Sequence, residues 1–241
     1  MCASRLPDAL IFDVDGTLAD TERDGHRPAF NAAFREAGLD WQWDEALYGE
    51  LLEVTGGKER IRHFAQTRQP DFTRRPDYDE FVAALHRAKT RHYVAAVAGG
   101  SIPLRPGVAR LLREARAAGL RLAIATTTTP ENVAALLVPA LGADLMSLFE
   151  VVGAGDVVPA KKPAPDIYLW VLERLGLAAA SCLAFEDSEN GLRAALGAGV
   201  PALVTPSGYT RGQCFTGALA VLPDLGGVGL EEIELLQRGQ V

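Results

Sequence analysis

Along this chain, short runs of consecutive apolar residues alternate with stretches in which apolar positions recur every three or four residues. The runs at 9–14, 121–126, 151–154, 181–185 and 201–204 have the length and continuity of strands. Strands without polar alternation are covered on both faces, as in a parallel sheet flanked by helices. Helical spacing is clearest in Val108, Leu111, Leu112 and Ala115, ended by Gly119, and in Ile167, Val171, Leu172 and Leu175, ended by Gly176. Pro106 and Pro165 stand near the starts of these helices, where a missing N–H does no harm. The alternation predicts an α/β fold built on a parallel sheet.

One segment departs from it. Residues 23–103 read as helices with no convincing strand, which predicts a helical insert directly after the first strand. The expected division is a core of residues 1–22 and 104–241 and an insert of residues 23–103. The insert is neutral, with 12 Lys+Arg and 12 Asp+Glu, whereas the remainder carries 12 against 19. It also holds all four histidines, His26, His63, His86 and His92. The contrast fits a division of labour, with a cation on the acidic core and an anionic substrate gripped from above. It equally fits ordinary variation in surface charge.

The most apolar stretch, 133–152, is interrupted by Pro139, Gly142, Asp144 and Glu150. It predicts a buried helix, turn and strand instead of a membrane span. With 48% of 241 residues hydrophobic, a sizeable core can be buried. A formal charge of −7 argues against nucleic acid or an anionic membrane as partner. Residues 1–8 lack the basic start and apolar run of a secretory signal. Cys2, Cys182 and Cys214 are odd in number and show no metal or redox spacing. They predict free thiols in the cytoplasm or a similarly reducing, plastid-like compartment, with Cys182 in the core.

The chemistry-bearing residues sit where strand candidates end. Asp13-Val14-Asp15-Gly16-Thr17 follows Ala9-Leu10-Ile11-Phe12, and residues i and i+2 of a strand share a side. Both carboxylates are therefore expected at the strand's C-terminal end, where open α/β sheets bind ligands. Such a pair suits an oxygen-ligated cation such as Mg²⁺, or an Asp that attacks phosphorus. It also suits a polar strand end entering an Asp-Gly turn. Thr126-Thr127-Thr128-Thr129 offers hydroxyls and N–H groups for phosphate oxygens, or a helix cap. Lys161-Lys162-Pro163 places a lysine just before a helix start, either to balance phosphate and carboxylates or as an exposed loop charge. Ala184-Phe185-Glu186-Asp187-Ser188 adds a second acid pair, for a metal or for capping the helix near Glu189.

These four motifs, in this order, resemble the haloacid dehalogenase superfamily over essentially the whole chain. The resemblance implies a Rossmann-like parallel sheet core with a helical cap inserted after the first strand. It implies Asp13 as nucleophile and Asp15 as general acid and base. Thr126 and Thr127 would contact phosphate and substrate, and Lys162 would balance charge. Mg²⁺ would be held by Asp13, Asp187 and the Asp15 carbonyl, with Glu186 supporting it directly or through water.

Finer motifs are similar to the CbbY-type branch, whose activity is xylulose-1,5-bisphosphate dephosphorylation in carbon-fixing organisms. They are Asp20-Thr21-Glu22-Arg23-Asp24-Gly25-His26, Gly56-Gly57-Lys58-Glu59-Arg60, Leu85-His86-Arg87-Ala88-Lys89-Thr90, Leu104-Arg105-Pro106-Gly107 and Ser207-Gly208-Tyr209-Thr210. That branch implies Glu22, His26, Lys58 and Lys89 as residues facing the substrate. By themselves the four read as a helix-start acid, a packed imidazole and solvated helix charges. The expectation is a Mg²⁺-dependent phosphatase acting on a small phosphorylated sugar, as a monomer or weak oligomer. A sugar phosphomutase shares the core motifs. A 2-haloacid dehalogenase needs neither Asp15 nor Mg²⁺, and a binding module of this fold needs no complete catalytic set.

Overall fold

Strand β1 (Ala9–Phe12) is buried along its whole length and occupies the middle of a six-stranded sheet. The computed structural model describes residues 6–142 and 147–239. The remaining strands are β2 (Arg121–Ala125), β3 (Phe149–Gly153), β4 (Cys182–Glu186), β5 (Ala202–Val204) and β6 (Ala220–Val221). Their order is β3-β2-β1-β4-β5-β6, and every neighbouring pair is parallel. The crossovers reverse direction at β1, and ligands of such sheets bind at the carboxyl ends of strands around that point. Phe12 pairs with Ile124 on one side and Phe185 on the other. Residues 13, 126 and 186 therefore emerge together at one sheet edge.

All five expected strands are present, with ends displaced by one or two residues. β1 stops at Phe12 and not at Val14, although the Asp13 N–H still donates to Phe185 O at 3.0 Å. The two-residue β6 gave no pattern to read. The expected helix and strand within 133–152 are found; residues 143–146, in the turn between them, lie outside the described residues. Cys182 is buried and Cys214 exposed, both as free thiols, and Cys2 lies outside the described residues. Among the described residues no helix is long and apolar enough to cross a membrane.

Between β1 and β2 the chain is helical: a π-turn (Glu22–His26) running into α1 (Arg27–Glu36), then α2 (Glu45–Leu51), α3 (Gly57–Arg68), α4 (Tyr78–Val97) and α5 (Val108–Ala117). α1 to α4 enclose an aromatic cluster of Phe30, Phe34, Trp41, Trp43, Tyr48 and Phe64. The Trp43 ring lies 4.7 Å from Phe30 and 4.8 Å from Phe34, in the tilted and edge geometries that aromatic quadrupoles favour. Among the described residues the remaining α-helices are α6 (Pro130–Leu141), α7 (Asp166–Leu175), α8 (Glu189–Gly197) and α9 (Leu230–Gln237). Leu10, Phe12, Ile124 and Phe185 cover one sheet face beneath α5, α6 and α9. Ala9, Ala123, Ala125, Ala184 and Ala202 line the other, where short side chains admit α7 and α8 closely. α4 belongs to both regions: Val82 and Leu85 join the aromatic cluster, Tyr93 and Val97 the main core.

The two passages into and out of the helical segment lie side by side, with Ala19 bridging Leu104 and the Arg105 N–H donating to Leu18 O at 2.8 Å. The buried Arg105 guanidinium then donates to the carbonyls of Gly16, Thr205 (2.6 Å), Pro206 (3.0 Å) and Pro223 (3.1 Å). Only a planar fork of donors can serve such divergent acceptors at once. Arg105→Lys, with three donors for four carbonyls, is therefore expected to leave at least one of them unpaired and to lower stability by roughly 1–3 kcal/mol. The measurement is a urea transition: the midpoint should fall with the slope unchanged.

Candidate active site

The sheet edge above β1 and β4 gathers three acids around one ammonium. Lys162 Nζ, buried, donates to Asp13 Oδ1 at 2.7 Å and to Glu186 Oε1 at 2.6 Å. Tyr168 OH donates to the same Glu186 oxygen at 2.5 Å. Burial disfavours the charged lysine, but the two carboxylates outweigh it and hold Lys162 protonated. Carboxylate oxygens of Asp13, Glu186 and Asp187 all lie within 4.8 Å of one another. Burial, with the neighbouring acids, raises Asp13 well above the usual carboxylate range despite Lys162. Asp187 is pushed up to about 7, chiefly by burial and then by the charges of Glu186 and Glu22. Gly16 (φ +87°) is required here, because a Cβ would collide with the Asp187 carboxylate. The acids are not spent on capping α8: Ser188 does that, accepting from Gly191 N–H at 3.2 Å.

These residues fit a divalent cation. Three carboxylates against one ammonium leave excess negative charge, and Glu186 Oε2 is buried with no hydrogen-bond partner. An all-oxygen donor set of this kind suits a hard ion such as Mg²⁺.

Asp15 turns away from the cluster. Its Oδ1 accepts from Thr21 Oγ1 at 2.5 Å and lies 2.8 Å from His26 Nε2. His26 Nδ1 is 2.6 Å from Lys89 Nζ, and the imidazole stacks on Tyr93 at 4.1 Å. A protonated lysine can only donate, so Nδ1 accepts and the imidazole proton sits on Nε2, directed at Asp15. Burial would raise Asp15, yet His26, the Thr21 hydroxyl and Lys89 hold it well below the usual carboxylate range. Burial lowers Lys89 to about 8, against the raising influence of Asp15 and Glu22. Glu22 Oε2 accepts from Tyr48 OH at 2.5 Å, and Tyr48 OH accepts from Arg60 Nη1 at 3.0 Å. A π-turn at Glu22–His26, a distortion frequent at functional sites, presents both residues to the cavity.

Asp13, Asp15, Glu22, Thr126, Thr127, Lys162 and Asp187 line one cavity. Thr129 caps α6, accepting from Asn132 N–H at 3.4 Å, which leaves Thr126 and Thr127 available. His26 and Lys89 line the adjoining recess together with Asp15 and Glu22. Lys58 is placed differently. It lines a neighbouring hollow with Thr127 and pairs with Asp156 at 2.5 Å, so its charge is already met across the gap between α3 and the sheet edge. Sequence reasoning gave no role to Thr21, Tyr48, Arg60, Tyr168, Ser207 or Thr210. Thr21, Arg60, Ser207 and Thr210 lay in motifs already quoted, whereas Tyr48 and Tyr168 lay in none.

The family description haloacid dehalogenase-like hydrolase matches residues 7–199. The chain belongs to that family. It is 57% identical over 218 residues to the plasmid CbbY protein of Cupriavidus necator, spanning 90% of this chain and 85% of that one. The crystal structure of CbbY from Rhodobacter sphaeroides in complex with phosphate superposes with a TM-score of 0.89 at 47% identity, covering 95% of this chain and all of that one. A mutant of the same protein in complex with xylulose-1,5-bisphosphate gives 0.87, over 93% and 97% of the two chains. This family member is an enzyme, a phosphatase of the CbbY branch.

Cation binding to the acid cluster would stabilise the folded chain by mass action, about 2.7 kcal/mol at a hundredfold excess over Kd. Melting in Mg²⁺ and in EDTA should therefore differ by roughly 5–10 °C for a chain of this size. Equal melting temperatures at saturating Mg²⁺ would rule the cluster out as a cation site.

Proposed function

We propose that this enzyme hydrolyses a sugar bisphosphate, xylulose-1,5-bisphosphate, to the monophosphate through an aspartyl phosphate on Asp13. The observation that carries the reading is the pairing of a lysine-braced Asp13 with a separately held Asp15 in one cavity. The bisphosphate is supported by the CbbY relative whose structure holds it. The residues of the helical segment 23–103 act as the cap over it, and the enzyme serves carbon fixation in the cytoplasm.

Asp13 attacks the phosphorus in line, and Lys162 orients that carboxylate and favours its ionised form against the effect of burial. Thr126 and Thr127 receive the non-bridging oxygens. Asp13, Asp187 and the Asp15 carbonyl, with Glu186 behind them, would hold Mg²⁺, which would supply charge neutralisation for the transferring group. Asp15 begins as a carboxylate hydrogen-bonded to His26 Nε2–H. As the sugar oxygen departs, Asp15 relays to it the His26 Nε2 proton across that 2.8 Å contact while Lys89 gives a proton to His26 Nδ1 across 2.6 Å, so the imidazole stays neutral. The same carboxylate then takes a proton from the water that cleaves the aspartyl phosphate. Glu22, oriented by Tyr48, contacts a sugar hydroxyl, and the helical segment excludes bulk water.

Phosphate release from xylulose-1,5-bisphosphate with Mg²⁺ tests the reading, with Asp13→Asn as control. The variant should fold by circular dichroism and lose turnover. Near-wild-type release from it would exclude the covalent route, and return of the phosphoryl group to a second sugar hydroxyl would instead make the enzyme a mutase.

Lys58 is assigned to the distal phosphate, exchanging Asp156 for it. Lys58→Ala should cut kcat/KM for the bisphosphate by roughly 10- to 150-fold, the worth of a charge-assisted hydrogen bond of ~1.5–3 kcal/mol. A nitrophenyl-type phosphate, too short to reach the cap, should be unaffected. Equal falls for both substrates would remove Lys58 from the distal site.

A further inference from the structure

The Ser207-Gly208-Tyr209-Thr210 motif faces two ways. On the sheet side, Thr210 Oγ1 donates to Asp187 Oδ2 at 3.3 Å. The same Oγ1 accepts from the Ser207 N–H at 2.8 Å and lies 3.0 Å from Ser207 Oγ. On the other side, the Tyr209 ring meets Tyr48 edge-to-face, with centroids 5.8 Å apart and planes at 71°. Gly49 of α2 leaves room for it, since a Cβ there would come within 3.3 Å of Tyr209 Cδ1. Tyr48 in turn holds Glu22.

The base of the turn is fixed through Thr205 and Pro206 by Arg105. Its outer side is not packed: Ser207, Gly208 and Tyr209 border a cavity of about 330 Å³ shared with Asp20 and Arg23. A segment anchored at its base, open on one flank and joined to the helical segment through the Tyr209 side chain can shift as that segment moves.

We propose that this turn couples the position of the helical segment to the Asp187 carboxylate, so that seating Tyr209 against Tyr48 sets the cation affinity of the acid cluster. Tyr209 is thus a positioning residue that acts through Thr210. The proposal rests on the cation reading of that cluster. Coupling of this kind is reciprocal, so a cation held at Asp187 also favours the seated Tyr209.

Calorimetric titration with MgCl₂, which needs no substrate, tests it. Thr210→Val should weaken Mg²⁺ binding about 10- to 100-fold, the usual loss on removing a hydrogen-bond partner of a metal ligand. Tyr209→Ala should weaken it roughly 5-fold or more, while Tyr209→Phe, which keeps the ring, should bind as wild type. The double variant should be little weaker than Thr210→Val alone, because Tyr209 acts chiefly through that hydroxyl, with the neighbouring Ser207 hydroxyl the turn's other contact to Asp187. Gly49→Leu, a helix-compatible change that pushes the ring off from the cap side, should reproduce Tyr209→Ala. Melting in EDTA identifies any variant that is merely unfolded. Unchanged affinity in both Tyr209→Ala and Gly49→Leu, or independent losses in the double variant, would overturn the coupling. Wild-type protein that takes up no Mg²⁺ would overturn the cation reading as well.

Discussion

The buried ammonium of Lys162, shared between Asp13 and Glu186, is the constraint on which the site depends. Removing such charges from water costs several kcal/mol per ion, and only close mutual contact offsets it. The sheet supplies the contact from two sides, since Phe12 and Phe185 are paired neighbours and the next residue of each strand is one of the acids. Lys162 arrives from the segment before α7, and Tyr168, on the first turn of that helix, satisfies the same Glu186 oxygen. Asp187 has no ammonium of its own. Its elevated pKa, set chiefly by burial, and the orphaned Glu186 oxygen both mark carboxyl groups buried together with too few partners. Both follow from carboxylates crowded where water is excluded.

The helical segment answers with the opposite chemistry. Lys89, His26 and Arg60 are buried polar groups on the side facing the sheet edge, each connected to an acid through one hydrogen bond or a short relay. This divides the two aspartates of one motif by environment. Asp13 sits among other acids with a cation beside it, whereas Asp15 sits with an imidazole, a hydroxyl and a lysine. Two carboxyl groups in unlike surroundings are the usual basis for unlike roles in one reaction. The aromatic cluster beneath α1–α4 gives these side chains a rigid base, and α4, packed into both cores, keeps that base in register with the sheet.

The sequence by itself determined the elements and the inventory of chemistry. Continuous apolar runs exist because parallel strands are covered on both faces. That is why five strands were legible, while the two-residue β6 was not. The acids, threonines and lysine at the strand ends were equally legible, because a helix-flanked sheet leaves few other places for polar residues. Tertiary structure alone decided how they meet. Spacing placed Asp13 and Asp15 on one side of a strand, but the chain leaves β1 at Phe12, and Thr21 and His26 draw Asp15 toward the helical segment. Lys58 and Lys89 looked alike as helix charges, yet one pairs with Asp156 at 2.5 Å and the other is buried against His26. Arg60, Tyr168 and Thr210 acquire their roles from partners 12, 18 and 23 residues away. Local periodicity records which way a side chain faces along its own element, and it holds no information about which element will lie opposite; that pairing is set when the sheet edge, the crossing helices and the returning turns are packed together.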